Sequence, residues 1–263
     1  MVEQMIGKNA GLMTFSKPAG IGAAHGDSHD KSGTNAHPIR YTRTAVFHPD
    51  LELLRRNRVL TQNSDKKVMH AYKLLRTQVL QKLQANDWNS LAVVSCRSGQ
   101  GATLTAINLA ISIAMDPRFT VLLVDMNLRN PSVHKYFGFE PSVGIADVTG
   151  SEVILEDVLV NPGIDGMLIL PGAERIDNSS EMMNSKKMMA LVSEIKSKYR
   201  TRIIVFDLPG ALDAEDAIAF LPHFDAGLLV LSERKTHSED IERVLELISE
   251  KPMLGSVLND VPA

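Results

Sequence analysis

The sequence predicts an α/β fold with a mostly parallel central sheet and helices on both faces. Short apolar runs rich in β-branched residues recur along the chain at Leu91–Ser95, Thr120–Asp125, Gly166–Leu170, Arg202–Asp207, Ala226–Leu231 and Met253–Leu258. Helical patterns lie between them, and near-continuous apolar strands separated by helices are the signature of a parallel sheet buried on both sides. A glycine-bearing turn and two strand-terminal aspartates mark one edge of that sheet as the place for chemistry, since open α/β sheets bind ligands beyond the carboxyl ends of their strands.

Taken in order, residues 1–65 are expected to form a flexible N-terminal arm and residues 66–263 the folded domain. The arm is rich in Gly, Ser, Thr, Asn and His, with no sustained hydrophobic period. His25, His29 and His37 within it have two readings, a metal-binding tract or a solvated tail, and their irregular spacing favours the tail. Leu51–Arg56 reads as a short docking element. From Lys66, the residues Val68, Tyr72, Leu75, Val79 and Leu83 recur at three- and four-residue intervals as one face of an amphipathic helix. After the first strand, Leu104, Ile107, Ile111 and Ala114 share the face of a second helix. A third runs from about Ser238 to Glu250, opened by a capping box at Thr236 and Glu239 and buried through Ile241, Val244, Leu245 and Ile248.

Composition narrows the field of functions. With 263 residues, 44% hydrophobic and 22% charged, the chain is ordinary for a globular protein. A net charge of −3 gives no reason to expect nucleic acid as a partner. The single cysteine, Cys96, excludes an internal disulfide and fits a reducing cytoplasm. No run of 18 apolar residues is present, so direct membrane insertion is not expected and membrane association would come through a partner.

Three strand ends carry the chemistry. After the first strand comes Ser95-Cys96-Arg97-Ser98-Gly99-Gln100-Gly101-Ala102-Thr103-Leu104, a turn that opens a helix and lets backbone amides converge on phosphate. The usual GxxxxGK[ST] pattern places lysine where this chain has Ala102 and glycine where it has Cys96. The second and fourth strands end in Asp125 and Asp207. A carboxylate at the tip of an apolar strand either holds magnesium, directly or through water, or caps the following turn; two of them beside a glycine loop favour the metal.

At these residues the chain resembles the cytoplasmic domain of bacterial tyrosine kinases of capsule and exopolysaccharide export, and within that group the autokinases found beside exosortase-linked loci. The likeness spans Ala92 to Asp260. It rests on Thr105–Ala110, on Val121–Asp125 continuing through Leu128–Ser132 to Phe137-Gly138, and on Leu170–Ala173, Asn178–Glu181, Asp207–Pro209 and Val257–Asn259. The resemblance implies a P-loop NTPase fold of the deviant-Walker, ParA/MinD-like type, with ATP and Mg as cofactors. It implies a phosphate loop at Gly99, Gln100, Gly101, Ala102, Thr103 and Leu104, with Thr103, Asp125 and Asp207 on the metal. Asp125 and Asp207 would be the catalytic carboxylates, Asn259 would reach the adenine, and Arg129 would either help position phosphate or a neighbouring subunit or form a surface ion pair. Arg97 stands where the ParA/MinD group carries a signature lysine, and it is either a replacement cation or a solvated loop residue.

Departures from the family pattern shape the functional expectation. Besides Ala102, Asn127 replaces a second aspartate, the oligomerisation motif survives only as His70, Lys73 and Arg76, and Tyr41, Tyr72, Tyr136 and Tyr199 are scattered in place of a tyrosine-rich tail. The first expectation is a catalytically impaired, kinase-like subunit regulating exopolysaccharide biosynthesis and export. Its implied partner is a membrane polysaccharide co-polymerase, or chain-length determinant protein, at the inner membrane, with a homo-oligomer as a further association. The alternatives are an active ATP-dependent tyrosine autokinase using Arg97, and a positioning ATPase of the ParA/MinD kind.

Overall fold

The computed structural model describes residues 44–150, 153–198 and 201–259. His25, His29, His37 and the arm up to residue 43 lie outside them. Among the described residues, eight strands form one sheet: β1 (Ala45–Val46), β2 (Ser90–Ser95), β3 (Thr120–Asp125), β4 (Val160–Asn161), β5 (Met167–Leu170), β6 (Arg202–Asp207), β7 (Ala226–Ser232) and β8 (Met253–Asn259), in the order β1-β4-β5-β3-β6-β2-β7-β8. All neighbouring pairs are parallel except β4 with β5. The six runs expected from sequence are all strands, with ends shifted by a residue at most.

Alternation explains why these strands read as continuous apolar runs. Leu91, Val93, Val121, Leu123, Ile203 and Val205 pack into one core layer. Ala92, Val94, Leu122, Val124, Ile204 and Phe206 pack into the other. Neither face of the central strands β2, β3 and β6 meets water, so their interior positions are apolar and polar residues stand only at their ends. The first layer is covered by α2 (Lys66–Ala85) and α3 (Ala102–Ala114). The second is covered by α8 (Lys186–Lys198) through Met188, Leu191, Val192 and Ile195 and by α10 (Ser238–Leu247) through Val244.

The boundary expected at residue 65 moves toward the N-terminus. Helix α1 (Leu51–Arg56) is capped by Asp50, whose side chain accepts from the Glu52 amide, and it buries Leu54. Val59 and Leu60 then enter the same core as α3. Buried Asn108 of α3 fixes this segment, accepting from the Leu60 amide at 2.8 Å and donating to the Arg58 carbonyl at 3.0 Å.

Three helical details also differ from expectation. Val68 is 44% exposed, because the buried stripe of α2 runs through Leu75, Val79, Leu80 and Leu83. α3 is buried around most of its circumference rather than on one face. Thr236 does not cap α10: its hydroxyl accepts from the Ser232 amide at 2.8 Å, His237 takes the N-cap position, and Leu245 is exposed.

Candidate nucleotide site

β2 runs directly into the glycine turn. Gly99 and Gly101 adopt φ of +75° and +93°, values glycine reaches without strain. Gly101 is also the N-cap of the 13-residue α3, which has no side-chain cap, leaving the first amides of the helix for another acceptor. A Cβ at Gly101 would collide with the side-chain amide of Asn259. Asn259, ending β8, donates to the Gln100 carbonyl at 3.1 Å, and Gln100 Oε1 accepts from the Arg97 amide at 3.0 Å. The turn is therefore shaped before any ligand arrives. Asn259 also lines a cleft of about 780 Å³ shared with Leu104, Asn108, Tyr72 and Leu60.

The two aspartates meet because β3 and β6 are paired in register, Asp125 opposite Asp207. Both are fully buried. Asp125 is well supplied, its carboxylate accepting from the amides of Ser132 at 2.8 Å, Val133 at 2.9 Å and Asn127 at 3.2 Å. Burial still pushes its pKa up to about 6, with those amides pulling the other way. Asp207 is different. Neither of its oxygens has a hydrogen-bond partner among the described residues. Burial first and the Asp125 charge second raise its pKa well above the usual carboxylate range, and only the nearby Thr103 hydroxyl favours the charged form. A buried carboxylate without partners costs several kcal/mol, roughly, if it stays ionised. The cost disappears if a cation joins the site.

Comparison with known proteins supplies the context for this geometry. No protein-family model matches the chain. Tyrosine-protein kinase YwqD of Bacillus subtilis is 28% identical over 190 residues, covering 72% of this chain and 79% of that protein. Putative tyrosine-protein kinase CapB of Staphylococcus aureus is 21% identical, covering 74% of this chain and 85% of its own length. The chain is similar in sequence to bacterial tyrosine-protein kinases. With tyrosine-protein kinase ptk of Acinetobacter johnsonii the match takes in 83% of this chain and only 30% of the relative. Among solved structures, the chimerical protein CapA2B2 superposes with a TM-score of 0.71 at 20% identity, over 83% of this chain and 94% of that one. The kinase domain of Escherichia coli tyrosine kinase ETK gives 0.70 at 20% identity, over 85% and 91%. The cell division ATPase MinD of Pyrococcus furiosus gives 0.55 at 26% identity, over 65% and 71%. The fold is that of the P-loop NTPases and of the tyrosine kinase domains.

Not every expected residue of this kinase relative reaches the loop. The structure gathers Gly99, Gln100, Gly101, Ala102, Thr103, Leu104, Asp125, Asp207 and Asn259. It turns Arg97 aside: the guanidinium makes two 2.9 Å hydrogen bonds to Asp240 of α10. A planar fork matched to a carboxylate is the geometry arginine holds best, so Arg97 serves as a tether between loop and helix within this chain, not as its free cation. Arg129 is also engaged. Its Nε lies 3.2 Å from both oxygens of fully buried Asp216, which Ser179 Oγ also reaches at 2.6 Å. Arg129 thus forms an ion pair, with a fully buried partner rather than at the surface as expected. Of the oligomerisation remnant, Arg76 donates inward to the Ser112 carbonyl at 2.9 Å.

Two loop neighbours escaped the sequence reading. Asp213 accepts from the Ser98 amide at 2.5 Å and from its hydroxyl at 2.6 Å. Lys235 donates from Nζ to the Gly99 carbonyl at 2.9 Å. Both follow the tips of strands, Asp213 after β6 and Lys235 after β7. The strand-end rule that singled out Asp125 and Asp207 would have found them if carried past the first residue of each connection.

Proposed function

We propose that the chain is a nucleotide- and magnesium-binding, kinase-like subunit of exopolysaccharide biosynthesis and export, with impaired turnover. One observation carries the reading: Asp207 is fully buried, both its oxygens unpartnered among the described residues, beside Asp125 and Thr103, at the mouth of a glycine turn whose helix start has no side-chain cap. Magnesium suits such a set, because it binds through one or two carboxylates and takes its remaining ligands from water and phosphate. Thr103, Asp125 and Asp207 would hold it, and it would neutralise charge on the phosphates. The chain's own parts do the rest: the amides of Gly99–Leu104 receive phosphate, and Asn259 holds the turn open beside the cleft.

Impairment follows from Ala102, which is 7% exposed and packs into the core at the position of the family's lysine. A preorganised cation aimed at developing charge is worth roughly 10²–10³ in rate. A second reading, an active ATP-dependent tyrosine autokinase, draws on the relatives named as kinases. The partner proposed, from the likeness to kinases of polysaccharide export, is a membrane polysaccharide co-polymerase; the described residues themselves contain no helix long and apolar enough to cross a membrane.

Titration calorimetry of the purified chain with ATP, with and without magnesium, alongside an ATPase assay, tests the proposal. Magnesium-dependent binding with turnover far below that of an active P-loop kinase is the expected result. Absence of binding under both conditions overturns the nucleotide reading, and robust turnover by the unmodified chain replaces impairment with the autokinase reading.

A further inference from the structure

We infer that Lys235 supplies the ammonium for the β- and γ-phosphates of a bound nucleoside triphosphate, in place of the lysine that Ala102 replaces. This rests on the reading of the loop as a nucleotide site and assigns the residue that completes it.

The loop needs a cation, and the structure shows where one waits. Ala102 ends at Cβ, Arg97 is committed to Asp240 by two hydrogen bonds, and Arg129 is committed to Asp216. Lys235 is the cationic side chain seated on the turn itself, its Nζ 2.9 Å from the Gly99 carbonyl. A carbonyl on the rim of an anion-binding turn is a natural resting place for an ammonium that has no phosphate to meet.

The placement is built from both sides. The Lys235 amide donates to the Ser232 carbonyl at 3.2 Å and the Thr236 amide to the same carbonyl at 2.9 Å. Thr236 Oγ1 closes the turn by accepting from the Ser232 amide at 2.8 Å. The Gln100 side-chain amide, within the loop, donates to the Lys235 carbonyl at 3.4 Å. The backbone of Lys235 is thus held against the phosphate turn at one end and its ammonium at the other. Gly99 suits the turn through its φ of +75°, which no other residue adopts as well; a Cβ there would meet Nζ only at ordinary contact, 3.7 Å.

The ammonium has three protons, and the Gly99 carbonyl takes one. The exposed stem is flexible enough to bring the others onto phosphate oxygens without moving the backbone. This cation comes from the connection after β7, not from the phosphate loop, so it would give a chain without the loop lysine a means of holding the outer phosphates.

The test is calorimetry on the full chain with magnesium and, separately, the β,γ-imido analogue of ATP, ADP and AMP. Lys235→Met is expected to weaken the triphosphate about tenfold or more and AMP little, since a charge on the outer phosphates is what has been removed. Lys235→Arg should keep most of the affinity, and adding Ala102→Lys to Lys235→Met should restore it. If the original chain binds the triphosphate and Lys235→Met binds it equally well, the inference is overturned while the nucleotide reading stands. A uniform loss for all three nucleotides would mark Lys235 as structural only, and overturns it too. If the original chain binds none of them, the nucleotide reading itself fails, and this inference falls with it.

Discussion

The pair of buried carboxylates dominates the chemistry at the scale of single residues, and it ties the site to the stability of the fold. Unfolded aspartates titrate near 3.9, roughly. In the folded chain Asp125 titrates at about 6, because of burial, and Asp207 is raised well above its usual range by burial and by the Asp125 charge. Folded pKa values above the unfolded ones mean that this contribution to stability is present in full below about pH 4 and is lost as pH rises through the folded values. For Asp125 alone, a folded value of about 6 corresponds to something on the order of 3 kcal/mol. Without divalent metal, the melting temperature should therefore begin to fall above about pH 4, and fall through about pH 6 for Asp125 and further for Asp207. Asp207→Asn should raise the melting temperature at pH 8 and flatten the profile, since it removes the second charge and leaves Asp125 with its three amides. A melting profile unchanged by Asp207→Asn would show that the two carboxylates do not repel one another as the geometry requires.

Among the elements, the segment before α2 departs furthest from expectation, and the reason is physical. Residues 44–65 lack a long period because their helix is short, yet Leu54, Val59 and Leu60 each fill a place in the core beside α3. What fixes them is a polar residue of another element, Asn108, which a reading by hydrophobic period passes over. Asn108→Ala should leave the Leu60 amide and the Arg58 carbonyl without their partner, at about 1–3 kcal/mol for each group that stays buried. Urea denaturation should show the lower midpoint, and proteolysis should begin ahead of α2; an unchanged midpoint would mean the segment is held by Leu54, Val59 and Leu60 alone. The same logic explains which strands were legible. Five of the six legible strands, β2, β3, β5, β6 and β7, lie inside the sheet and announce themselves as apolar runs; β8 closes one edge and still reads as apolar. β1 and β4 have two residues each, at the other side of the sheet, where pairing rather than composition defines them. At the site, Asp125 and Asp207 were legible because each ends an apolar strand. Lys235 and Asp213 were not, because their roles come from two connections folding against one turn.

In the molecule as a whole, the site is assembled at one edge of the sheet from the ends of β2, β3, β6, β7 and β8, so losing one residue need not dismantle it. Ala102 is the clearest departure from the kinase pattern that the chain resembles. The glycine turn keeps its left-handed conformations, Asn259 still braces Gln100, and the carboxylate pair is in place. If Ala102 is what limits turnover, Ala102→Lys restores a compact point charge that moves with the loop and faces the β- and γ-phosphates. Such a charge differs from Lys235, which is held from outside the loop by the Gly99 carbonyl. Nucleotide affinity should then rise, and ATP hydrolysis should increase by about 10²-fold, the scale of one preorganised transition-state contact. Phosphorylation of Tyr72 and Tyr136 should rise much less, because both are partly buried against the core. Steady-state hydrolysis by the original chain, by Ala102→Lys and by Arg97→Ala, each with magnesium, checks the argument. Arg97→Ala is expected to leave nucleotide binding in place, since its guanidinium is spent on Asp240. Strong turnover by the original chain that vanishes in Arg97→Ala would mean that the arginine leaves Asp240 when nucleotide binds, and that the chain is a working kinase.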